Sequence, residues 1–178
     1  QVNNSALLEL KNNTATSYSG GGFYLSTGAR LMVSGFGSRT TIQGNTAGKS
    51  GGGLFMKTLA AVLVDGGGML HIFENEANTY GGALFLKDAD TTLAVSGADT
   101  HVIVQDNVAA SGGGGGLCLT NGADVQVNNS ALLELKNNTA TSYSGGGSYL
   151  DTGARLKVDG GGKLQILQNE ANLSLIHI

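Results

Sequence analysis

Proline and tryptophan are missing from this 178-residue chain, cysteine occurs once, and only 13% of the residues are charged. Each scarcity excludes something. The lone Cys118 leaves neither a disulfide framework nor a cysteine-based metal site. No apolar run approaches the ~20 residues that a membrane-spanning helix needs. A formal net charge of −3 gives no basic footprint, so no nucleic-acid partner is expected. What is abundant is glycine, with 30 copies, beside a hydrophobic content of 40%. That much apolar material can fill a core, so the glycines are expected to make turns in an ordered structure, not a disordered linker.

The order comes from a repeat. Residues 1–22, QVNNSALLELKNNTATSYSGGG, return letter for letter at 126–147. An Asn-x-Ala triplet starts at Asn13, Asn45, Asn75, Asn107, Asn138 and Asn169, with spacings of 32, 30, 32, 31 and 31 residues. The two identical phrases are therefore four short periods apart, and the repeating unit is about 31 residues long. The duplication runs further still. Residues 1–35 and 126–160 differ only at Phe23/Ser148, Ser26/Asp151, Met32/Lys157 and Ser34/Asp159.

Each unit holds three short segments whose apolar residues recur at i, i+2, the strand period. Leu70/Ile72 before the asparagine, Leu84/Leu86 after the glycines and Leu93/Val95 beyond them form one such set. Glycine, serine, asparagine and aspartate bound every segment, as turns require. Nothing carries helical periodicity. The expected fold is all-β: a right-handed parallel β-helix over residues 1–172, with three strands per coil and about five and a half coils. At ~4.8 Å per coil the rod would be roughly 26 Å long.

Six asparagines at one coil position predict a ladder, each amide bonding to its neighbour and to turn carbonyls. Recurrence in every coil favours that structural role over a ligand site. The small residue two positions on (Ala15, Ala47, Ala77, Ala109, Ala140, Ala171) suits a tight inward corner. Between the inward residues of the second segment stand Tyr24, Phe55, Phe85, Cys118 and Tyr149. These are expected to face outward. Tyr24, Phe55, Phe85 and Tyr149 then form either a stabilising aromatic stack or a contact surface for a glycan or a partner protein.

The phrase FENEANTYGGALFL at 73–86 resembles the repeat of chlamydial polymorphic outer-membrane proteins, a Phe-x-x-Asn-like motif followed by Gly-Gly-Ala-Leu. TIQGNTAGKSGGGLFM (41–56) and VIVQDNVAASGGGGGLCL (102–119) are looser versions of it. The resemblance implies a surface-exposed or secreted β-helix with adhesion as its role. The corresponding partners would be a host-cell or matrix protein or a glycan, with neighbouring coils of a parent chain at both ends.

Chemistry finds less support. Parallel β-helices also include pectin-lyase-like enzymes, so a polysaccharide lyase, a glycoside hydrolase or a carbohydrate-binding module is the alternative reading. Arg155 and Lys157 flank Leu156 and would project together, as a carboxylate clamp needs. The duplicate coil has Arg30, Leu31 and Met32 there, and no paired carboxylates accompany either copy. His71 and His101 share an outward parity in adjacent coils but lack a carboxylate pattern for a metal. The glycine runs lack the Lys-Ser/Thr of a phosphate loop. No catalytic residue, metal site or cofactor is expected. Asn-x-Ser/Thr sequons at Asn3, Asn12, Asn128 and Asn137 would matter only in a glycosylating host. Gln1 opens in mid-motif, so the chain is expected to be a slice of a longer protein. The last six residues, LSLIHI, break the pattern and read as a translated sequencing adaptor; 173–178 are expected to be non-native.

Overall fold

A computed structural model describes residues 1–172, and the reading of 173–178 as an adaptor lies outside the described residues. The chain winds into a parallel β-solenoid of about five turns. No helix occurs among the described residues. Four sheets run the length of the solenoid, and every strand pairs in parallel with its counterpart one turn away. Sheet I contains Val2–Asn3, Arg30–Ser34, Ala61–Asp65, Thr92–Ser96, Asp124–Asn128 and Arg155–Val158. Sheet II contains Leu7–Lys11, Arg39–Gln43, Met69–Phe73, His101–Gln105, Leu132–Lys136 and Lys163–Leu167. Sheet III is narrow, made of the two-residue strands Thr14–Ala15, Thr46–Ala47, Glu76–Ala77, Val108–Ala109, Thr139–Ala140 and Glu170–Ala171. Sheet IV contains Phe23–Leu25, Leu54–Lys57, Leu84–Lys87, Leu117–Thr120 and Ser148–Leu150.

Sheets I, II and IV are the three segments of the sequence reading. Sheet III is an addition at what reads as a corner in the sequence. Its two residues per coil are too few to show alternation, yet their backbone groups pair from coil to coil. Burying a turn of chain against a dry core demands this, because an unpaired buried N–H or C=O costs as much as a lost hydrogen bond.

The core is one column of stacked apolar side chains. Val62, Val64, Leu70, Ile72, Leu84, Leu86, Leu93 and Val95 are all fully buried in the central coils. Each such side chain stabilises by about 1.5–3 kcal/mol on leaving water. At the last coil the same positions open to solvent: Ile166 is 51% exposed where its register partner Leu135 is completely buried. The last coil, with a described neighbour on one side only, thus leaves core positions open.

The turn before sheet IV sets the shape. Gly20, Gly51, Gly81, Gly114 and Gly145 all adopt positive φ, between 63° and 76°. A Cβ on Gly81 would lie 2.3 Å from the Leu84 carbonyl oxygen and 2.9 Å from the Phe85 Cβ. The following glycine is equally constrained, since a Cβ on Gly82 would lie 2.4 Å from the Gly115 oxygen of the next coil. Only hydrogen fits at either place.

Candidate functional site

The asparagines form a continuous hydrogen-bonded column between sheets II and III. Both the backbone N–H and the side-chain Nδ2 of Asn75 donate to Asn107 Oδ1, at 2.9 and 3.0 Å. The same pair of bonds joins Asn13 to Asn45, Asn45 to Asn75, Asn107 to Asn138 and Asn138 to Asn169. The remaining Nδ2 hydrogen reaches back to the previous coil, as from Asn75 to the Ile42 carbonyl at 2.9 Å and from Asn107 to that of Ile72 at 3.1 Å. Asn45, Asn75, Asn107 and Asn138 are almost fully buried. Their amides are saturated by protein, which leaves no capacity there for a ligand.

The column also explains a backbone cost. The residue before each asparagine is left-handed: Asn12, Gly44, Glu74, Asp106, Asn137 and Gln168 have φ of 56°, 62°, 56°, 54°, 50° and 54°. For a glutamate or glutamine this conformation costs about 1–2 kcal/mol. The turn turns the asparagine amide inward, where its bonds offset that cost.

The aromatic residues lie on sheet IV, pointing away from the main core and forming a second small cluster. Their expected role as a ribbon of exposed rings needs correction. Phe55 and Phe85 are only 7% and 8% exposed, and Cys118 is completely buried. The left-handed glycines fold each preceding turn back over the column, bringing backbone onto the rings' Cβ atoms. Tyr24 stays open at 49%, and Tyr149 is partly covered. Tyr24 stacks on Phe55 with centroids 5.0 Å apart, and Phe55 meets Phe85 edge-on at 5.5 Å.

A device that the sequence reading missed completes this cluster. Cys118 breaks the aromatic column in the fourth coil. Tyr80 from the third coil and Tyr149 from the fifth lean toward each other across the gap, with centroids 6.5 Å apart. They fit because Gly112 and Gly113 carry no side chains: a Cβ on Gly112 would lie 2.7 Å from the Tyr80 ring, and one on Gly113 would lie 2.9 Å from the Tyr149 ring. The five-glycine run beginning at Gly112 was the available signal. Burial, together with the bond to Tyr143, pushes the Tyr149 hydroxyl up to about 12. Burial likewise raises the Cys118 thiol far above its ordinary range, with Asp151 adding to the effect, which leaves it an inert core residue.

The remaining candidates are dispersed. Arg155 and Lys157 border an open recess of about 620 Å³ together with Asp124, Gln126, Leu150, Ala154 and Leu156. Arg155 Nε lies 3.9 Å from Asp124 Oδ1, and Lys157 Nζ lies 2.7 Å from Asp159 Oδ2. Each cation has its own carboxylate, so the two do not present a free clamp. Register sets His71 beside Ile103 and His101 beside Met69, which leaves the imidazoles diagonal and not facing. His71 stacks on Phe73 at 4.2 Å, and burial lowers its pKa, with Arg39 acting the same way against opposing contributions from Gln105 and Asp106. Among the described residues no three metal-ligating side chains converge.

These features define a class, the parallel β-solenoid repeat protein. Comparison of the chain with family models, with curated proteins and with solved structures found no match.

Proposed function

We propose that this chain is a structural and adhesive segment of a surface-exposed or secreted β-helix protein, holding its outward faces at fixed spacing. The carrying observation is the uninterrupted register: each of the central strands pairs with the same position one coil away, with no loop inserted between coils. Inward positions stay apolar from coil to coil except at Thr40 and Ser148. Outward positions vary freely, as Met32, Leu63, Ala94, Gln126 and Lys157 show along one row of sheet I. A scaffold that fixes its interior and varies its surface suits display, and loops inserted at one face are what a solenoid enzyme would add.

The test is binding of the purified chain to host cells, extracellular-matrix proteins and a glycan array. Saturable binding to any of them supports adhesion. The competing reading, polysaccharide processing, draws on the recess beside Arg155 and Lys157. Cleavage of a uronate polymer that disappears in the Arg155→Gln variant would replace the adhesive reading with it.

A further inference from the structure

A row of tyrosines runs along the turn between sheets III and IV. Five residues after each column asparagine stand Tyr18, Ser50, Tyr80, Gly112 and Tyr143, in successive coils. Rings and small residues therefore alternate. Backbone bonds hold these turns in step: the Lys49 N–H donates to the Tyr18 carbonyl, that of Thr79 to the Lys49 carbonyl, and that of Gly112 to the Thr79 carbonyl. All three tyrosines are exposed. Tyr80 has a described coil bonded on each side and is still 38% open. The position thus faces solvent within the stack, and its exposure does not come from where the described residues begin and end.

The small residues keep the space between the rings clear. Gly112 has no side chain, and Tyr80 lies against its backbone, where a Cβ would come within 2.7 Å of the ring. Ser50 is buried, its Oγ 2.6 Å from Thr79 Oγ1. One residue earlier in each turn stand Ser17, Lys49, Thr79, Ser111 and Ser142, so a line of hydroxyls with a single charge runs beside the rings. The strip is aromatic, rich in hydroxyls and nearly uncharged. That composition suits a neutral, polyhydroxylated ligand and offers little to a polyanion.

Successive tyrosines stand two coils apart, or ~9.6 Å. An extended β-1,4-linked polysaccharide repeats at nearly this distance, because its neighbouring sugars face opposite ways and every second one faces the same way. An α-1,4-linked chain coils and has no such straight repeat. A pyranose sets its axial C–H bonds against an aromatic ring while its hydroxyls bond to polar side chains at the rim. We propose that this row binds an extended, neutral β-1,4-linked polysaccharide lying along the solenoid, with alternate sugars seated on successive tyrosines. Such a site rests on the adhesive function proposed above and gives it a ligand class. It is separate from the column of Tyr24, Phe55 and Phe85, in which the two phenylalanines are covered.

The experiment is titration calorimetry of the full 178-residue chain with cello- and chito-oligosaccharides, from disaccharide to hexasaccharide. Affinity should rise with length as further rings are engaged. Tyr18→Ala and Tyr80→Ala should each weaken hexasaccharide binding ~10-fold, the loss of one stacked ring. Tyr18 is not part of the buried aromatic cluster, so its variant carries the test if Tyr80→Ala fails to fold. Tyr24→Ala, in the other column, should bind as the unsubstituted chain does. Malto-oligosaccharides of the same lengths should not bind. Unchanged binding in Tyr18→Ala, equal binding of the malto-series, or no binding of either β-1,4 series would overturn the proposal. Binding to cells or matrix proteins without any oligosaccharide binding would overturn it alone and leave the adhesive function standing.

Discussion

Asn107 illustrates what a single residue does here. Its Oδ1 accepts two bonds from Asn75, and its Nδ2 serves Ile72, Gln105 and Asn138. Asn107→Leu keeps the volume but strands two buried donors and several acceptors. A loss of ~3 kcal/mol is expected, since each unsatisfied buried group costs about 1–3 kcal/mol and the effects overlap. Asn13→Leu, at the solvated end, should cost under ~1 kcal/mol because water replaces what is lost. Urea midpoints of the two variants measure the contrast, and equal midpoints would mean that the column contributes nothing beyond its end bonds. Glycine gives a second contrast at this scale. Gly81→Ala forces a Cβ against the Leu84 carbonyl in a left-handed residue and should destabilise by at least ~1–2 kcal/mol. Gly53→Ala should cost less, because Gly53 is not left-handed and its Cβ would lie 2.9 Å from the Ala83 carbonyl oxygen, a milder approach than at Gly81.

At the scale of the strand, Arg39–Gln43 is the exception in its sheet. Thr40 points inward where Leu8 and Leu70 lie beside it, and among the described residues its buried hydroxyl has no hydrogen-bond partner; nor has that of Ser38. Thr40→Val removes an unsatisfied polar group at nearly constant volume and should stabilise by ~1 kcal/mol. A lower melting temperature would show that the hydroxyl is satisfied in solution. The neighbouring strand carries His71, whose pKa is lowered in the fold chiefly by burial. The unfolded chain therefore binds the proton first. His71 should cost no stability above pH ~6.5, with a penalty growing as pH falls below that value, and His71→Gln should flatten this acid limb in pH-dependent denaturation.

Strand by strand, legibility followed alternation. Sheets I, II and IV could be read because three or more residues alternate in every strand but the two-residue Val2–Asn3, and the asparagine column could be read because one residue type recurs at one place. Thr46–Ala47 and its equivalents could not, since two residues carry no period. The burial of Phe55 and Phe85 was illegible for another reason. Parity places a side chain on the outer face, but what covers that face depends on how the glycine turn folds back, and spacing does not encode this. The meeting of Tyr80 and Tyr149 joins residues two coils apart in opposite directions from Cys118 and is a purely tertiary fact.

The whole molecule inherits one property from its constant register. Neighbouring strands pair at an offset of about 31 residues all along the chain. Pulled from its two termini, such a structure cannot stretch as a body; it must shed turns one after another from the ends. Each turn released exchanges a rise of ~4.8 Å for about 31 residues of slack chain, or roughly 100 Å of contour. Single-molecule extension should show a sawtooth with that spacing, each tooth marking one turn. A single rip of the entire chain would show that the coils fail together. A tether of this kind takes up sudden tension by lengthening about twentyfold per turn surrendered, and keeps its remaining turns, with whatever they display, folded.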